Sequence, residues 1–208
     1  MLTHRVGDVP RGPLTQEDVD DVEARLEQTS GADGYRTAAA DYEAWAAEPH
    51  PADEVSVAAL LVHAGEALEL AGDIEGALAY FDRAVADGGD VLPDARCYVI
   101  GALLGLGRHD EADSATAALM QTRPRDPFVY EYVGAGYQMV DRLDEANRWM
   151  TAGVVRLVSA QDVPEYPLIL LMQSRYWVRQ TIGFDEDEYD VLAAIALDPS
   201  GADDPDDE

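Results

Sequence analysis

Lysine is absent from this 208-residue chain, and asparagine occurs once, at Asn147. All 14 basic residues are therefore arginine, set against 42 acidic ones, for a formal charge of −28. That balance excludes the basic stripe needed to neutralise phosphates, so nucleic acid is not an expected partner. It also argues against docking on an anionic membrane surface. Cys97 is the only cysteine, which rules out an intrachain disulfide and any cysteine-built zinc site. Residues 1–30 hold no apolar stretch of signal-peptide length, and the longest strong apolar run, Leu168–Met172, is far short of a membrane span. A cytoplasmic location is the expectation. Arginine without lysine, beside abundant alanine and glycine, fits GC-rich coding, and adaptation of an acidic surface to high salt is the alternative.

What is present points to a folded chain. Length favours one domain, and a 47% apolar fraction is enough to build a core. Internal repeats come next, because overlooking them misassigns the whole fold. Three segments align. The first runs from Leu61 through Gly65 and Leu68 to Gly72-Asp73, then Ala77, Phe81 and Ala84. The second has Leu103, Gly107, Ala112 and Leu119, and the third has Tyr130, Gly134, Tyr137, Asp141, Ala146 and Met150. Ala112 and Ala146 lie 34 residues apart, and Ala77 and Ala112 lie 35 apart. Leu61, Ala64, Gly65 and Leu68 recur at three- and four-residue spacing, as do Ala77, Phe81, Ala84 and Val85, so each segment reads as two helices with one apolar face apiece. Small residues on one helix let a neighbour approach, and large residues on that neighbour fill the gap.

This pattern resembles the tetratricopeptide repeat, a helix–turn–helix unit of 34 residues, in the manner of small acidic bacterial members. The recognisable repeats span about 58–91, 93–126 and 127–160. The second departs from the pattern with Ile100 at the small-residue position and Thr116 at the aromatic one. The third has Asp141 at the turn glycine and Gly153 at the last alanine. The flanks continue as degenerate helix pairs. Thr15 and Asp18 form a capping-box start that Leu14 can staple onto Val19, for a helix to about Gln28. A second helix follows from Asp33 to about Ala47. Pro164–Gln180 reads as a helix closed by Gly183, and a last helix begins at Asp185–Glu188 and ends near Leu197. The expected architecture is all-α: a tetratricopeptide-like solenoid of about ten antiparallel helices over residues 13–197. A flexible N-terminus (1–12) and a disordered acidic tail (198–208) flank it.

Sites for chemistry are few. His4, His50, His63 and His109 fall in unrelated segments, and no phosphate-binding loop, nucleophile elbow or zinc-protease pattern occurs. The acidic run Asp185–Asp190 lacks the glycine and terminal glutamate of a calcium loop. No catalytic residue, metal ligand or cofactor is therefore nominated. Arg175 and Arg179, four apart on one helix face, could fork an anion, or could pair with Glu165 or with the Asp185–Asp190 run.

The family resemblance implies that the first helix of each repeat lines a concave surface. Carried over, it selects Val62, Glu66 and Glu69, then Cys97 and Leu104, then Phe128, Glu131 and Gln138. That face mixes apolar and acidic residues, and favours a basic peptide or helix. The expected function is non-catalytic protein–protein interaction. Alternatives are self-assembly through Leu168–Trp177 and, last, a metal-dependent enzyme or regulator.

Overall fold

A computed structural model describes residues 11–28, 31–160 and 162–197. The expectations for residues 1–10 and for the acidic stretch 198–208 lie outside the described residues. Among the described residues there are ten α-helices and no strand. They are α1 (Gln16–Glu27), α2 (Ala32–Ala47), α3 (Val57–Leu70), α4 (Ile74–Asp87), α5 (Ala95–Gly105), α6 (His109–Gln121), α7 (Pro127–Met139), α8 (Leu143–Val158), α9 (Glu165–Ile182) and α10 (Glu188–Leu197). No helix among them is long and apolar enough to cross a membrane.

The helices group into two compact units, the first ending at Val91 and the second starting at Leu92. In the first unit α1 packs on α2, α2 on α3 and α3 on α4. In the second, α5 packs on α6 and α7, α7 on α8 and α9, and α9 on both α8 and α10.

Local signals place the helix ends. Thr15 donates its backbone N–H to Asp18 Oδ2 at 2.8 Å, and Ser56 Oγ accepts from Ala59 N–H at 2.9 Å. Asp73, Asp94 and Asp126 accept in the same way from Gly76, Arg96 and Phe128. Each carboxylate or hydroxyl thus satisfies an N–H that the helix itself cannot.

The turns after α3, α5 and α7 share one conformation. Gly72, Gly107 and Asp141 all have positive φ, at 81°, 71° and 59°. In each, this residue's N–H reaches the carbonyl three residues back, and the next N–H reaches the carbonyl five back: Asp73 to Leu68, Arg108 to Leu103 and Arg142 to Tyr137, all at 2.9 Å. Glycine adopts this geometry freely, and aspartate is among the few other residues that tolerate it.

Inside two hairpins small residues meet large ones. A Cβ on Gly65 of α3 would lie 2.2 Å from Phe81 Cε1 of α4. A Cβ on Gly153 of α8 would lie 2.5 Å from Tyr130 Cγ of α7. Gly153 therefore makes room for a tyrosine ring. Among the described residues the α5–α6 hairpin has no glycine at such a contact. Ile100 of α5 is fully buried, and the shorter Thr116 of α6 accepts from the Tyr137 hydroxyl at 3.1 Å.

Carboxylates tie the elements together. Asp53 takes two hydrogen bonds from Arg11, at 2.7 and 2.6 Å, and one each from the Leu14 and His50 N–H groups. Arg11, expected in a flexible N-terminus, is thus joined to the α2–α3 connection. In the second unit Arg142 grips both oxygens of Asp113 at 3.0 Å, linking the start of α8 to α6.

Gly65→Ala should lower stability by about 1–3 kcal/mol through overpacking against Phe81, despite the roughly 1 kcal/mol that alanine gains in a helix interior. Urea unfolding checks this, and Phe81→Leu in the same chain should recover part of the loss.

Candidate functional site

The first unit carries a cleft of about 350 Å³ lined by α1, α2 and α3. From α1 come Glu23, Leu26 and Glu27, one turn apart on one face. From α2 come Tyr35 and Tyr42, and from α3 His63, Glu66 and Leu70. No arginine lines it. The His63 ring stacks on Tyr42 with centroids 5.2 Å apart. His63 Nδ1 lies 3.6 Å from Glu23 Oε1 and 3.5 Å from Glu66 Oε2. Tyr42 is buried, yet its hydroxyl has no hydrogen-bond partner, and burial pushes the phenol pKa up. Such a cleft can hold a cationic side chain: carboxylates accept charge-assisted hydrogen bonds, and tyrosine faces attract the cation.

Of the residues selected from the sequence, Glu66 lines this cleft. Glu69 is half-buried, and desolvation, with the nearby charge of Glu66, raises its carboxyl to about 7. Val62, Cys97 and Leu104 are buried, at 2%, 0% and 2% exposure, so their assignment to a docking surface is corrected. The physical reason lies in the helices themselves. α5 is apolar all round and buries Cys97, Tyr98, Ile100, Leu103 and Leu104 alike, and a helix of that kind is core rather than surface. Leu104 also packs at Gly136 of α7, where an added Cβ would meet its Cδ1 at 3.2 Å. In the second unit Phe128 and Gln138 are exposed. Glu131 is half-buried, accepts from Ser174 Oγ at 3.4 Å, and is raised by burial.

The anion fork at Arg175 and Arg179 is also corrected. Arg175 is 1% exposed. It donates to Thr151 Oγ1 at 2.8 Å, to Asp190 Oδ1 at 2.6 Å and to both oxygens of Asp187. Arg179 Nε donates to Asp190 Oδ2 at 2.7 Å. Pairing with the Asp185–Asp190 run is the outcome, and together with Thr151 it takes four of the five N–H donors of this buried side chain. Within Leu168–Trp177, Leu171 and Met172 are buried, and Trp177 stays 56% exposed.

Reading the sequence did not select Glu23, Glu27, Tyr35, Tyr42 or His63 for the site. The four-residue spacing of the two glutamates and the seven-residue spacing of the two tyrosines were available signals, but only the packing of three helices brings them together. Among the described residues no group of three or more His, Cys, Asp or Glu side chains could hold a metal ion.

Two outcomes follow. Glu69 is protonated in both folded and unfolded chains below about pH 4, and ionised in both above about pH 7. Its raised folded pKa costs stability as the pH climbs between those limits. Glu69→Gln should therefore add about 1–2 kcal/mol at pH 8, discounted for its partial exposure, and nothing at pH 4. Chemical denaturation at both pH values reads the difference. Arg175→Met should cost about 3–5 kcal/mol by leaving Asp190 Oδ1 buried without its guanidinium partner, seen as a fall in Tm.

Comparison with protein-family models, with curated proteins and with solved structures returns no match to this chain.

Proposed function

We propose that this chain is a non-catalytic binding module of the tetratricopeptide-like helical-repeat kind, and that the cleft of its first unit docks a basic peptide segment. The observation that carries the docking site is the set Glu23, Glu27 and Glu66 around a cleft with apolar walls and no arginine. Elsewhere in the chain carboxylates are commonly neutralised by arginine, as at Asp53, Asp113 and Glu43. Here His63 Nδ1 approaches Glu23 and Glu66, and no arginine is among the lining residues. A partner's arginine or lysine would supply the missing charge, and the unpartnered Tyr42 hydroxyl offers a further hydrogen bond.

The repeat assignment draws support from the three turns of like geometry at Gly72, Gly107 and Asp141, spaced 35 and 34 residues apart, against the 34 of the repeat. The small-on-large contacts at Gly65 and Gly134 also recur at equivalent positions.

Fluorescence anisotropy with a labelled helical peptide bearing arginines along one face tests the site. The unaltered chain should bind it, more weakly as salt rises. The Glu23→Gln, Glu66→Gln double variant should bind about tenfold less tightly, since charges at an interface govern encounter and orientation. Equal affinity of both proteins, or equal affinity for the same peptide with glutamates in place of its arginines, would sink the proposal.

A further inference from the structure

The second unit carries a cleft of opposite character. It occupies about 760 Å³ along α8, between the α6–α7 turn and α9. Arg123, Arg148, Arg156 and Arg179 line it, with Asn147 and Ser159. No carboxylate lines it, in a chain where acids outnumber bases 42 to 14. The four arginines are unequally engaged. Arg179 is held by Asp190 and Asp187. Arg148 reaches Glu145 at 3.3 Å, a carboxylate that Arg142 already holds at 2.8 Å. Arg123 and Arg156 have no carboxylate within 4 Å among the described residues. The Arg156 Nε–H is buried and finds no acceptor. Arg123 sits at φ 56°, a left-handed conformation unusual for a long side chain.

From this cleft we infer a second binding site, for a phosphate-type dianion. Two guanidinium groups without counter-charges match a dianionic group, whereas a monocarboxylate would leave one of them unneutralised. Guanidinium forks present paired N–H donors to phosphoryl oxygens. The Asn147 side-chain NH2 adds a neutral donor beside them, its Oδ1 being taken by Thr151. The net charge of −28 does not forbid this, because charges more than a Debye length away, about 8 Å at physiological salt, are largely screened. The site stands independently of peptide docking on the first unit, since it draws on other residues and the opposite charge.

Isothermal titration of the full chain with inorganic phosphate at about pH 8, where the dianion predominates, at low and at physiological salt, tests it. The expected result is saturable uptake that weakens with salt, with acetate binding at least about tenfold less tightly. An Arg123→Gln, Arg156→Gln double variant should lose about tenfold or more in affinity with an unchanged circular-dichroism spectrum. Arg36→Gln, at an exposed arginine paired with Asp33, should change nothing. If the double variant loses helix content, Arg148→Gln, on a 70% exposed side chain, takes its place and should weaken binding in the same direction. Absence of uptake, equal affinity for acetate, equal affinity in the double variant, or an equal loss in Arg36→Gln would each overturn the inference.

Discussion

Three helices of the second unit meet at one guanidinium. Arg175 of α9 reaches Thr151 on α8, Asp190 on α10, and Asp187 just before α10. Neither Arg175 nor Asp190 is solvent-exposed. A buried ion pair adds little net stability compared with a well-packed apolar pair, but it is very sensitive to the loss of one partner. Its contribution here is geometric. α10 is a ten-residue helix, too short to hold itself in water, and its first turn is anchored by this carboxylate pair. The same pair draws Arg179 inward and sets the wall of the arginine-lined cleft.

Charge is distributed unevenly in this acidic chain. Several arginines join elements: Arg11 to Asp53, Arg83 to Glu43 and Arg142 to Asp113. Exposed pairs of this type are each worth little. Hydrogen bonds from Arg11 and Arg142 hold the Asp53 and Asp113 carboxyls below the usual range, against the upward push of desolvation. Once these structural pairs are accounted for, two places stand out. One is a cleft with carboxylates and no arginine, the other a cleft with arginines and no carboxylate. Each lies within a single unit, so neither depends on how the units are arranged.

The elements legible in the sequence were those specified by neighbours in the chain. Thr15 with Asp18, Gly72 with Asp73, and Gly183 mark helix ends by bonds spanning only a few residues, and the helices begin and end within a few residues of those marks. Ile100 stands in the sequence as a large residue at a small-residue position, and it is fully buried. The surface was far less legible. Val62, Cys97 and Leu104 were assigned to an open face because the repeat phase points there, yet the all-apolar run Cys97–Leu104 already contained the contrary signal. Arg175 could be read either as a ligand fork or as an ion-pair partner, since the spacing alone fits both. Convergence of Arg123 and Arg179 on α8, or of Glu23 on His63, is set by tertiary packing and leaves no mark on local sequence.

The burial of Cys97 has a practical side. Its thiol is fully enclosed in α5, and desolvation pushes its pKa far upward, so the reactive thiolate is suppressed. The folded chain therefore offers electrophilic probes almost no native background at sulfur, and it has no lysine side chains to compete for them. A cysteine introduced at any exposed position becomes the one thiol that a dye, spin label or cross-linker readily reaches. Each unit, and each of the two clefts, can thus be tagged separately without first removing a native residue from the core.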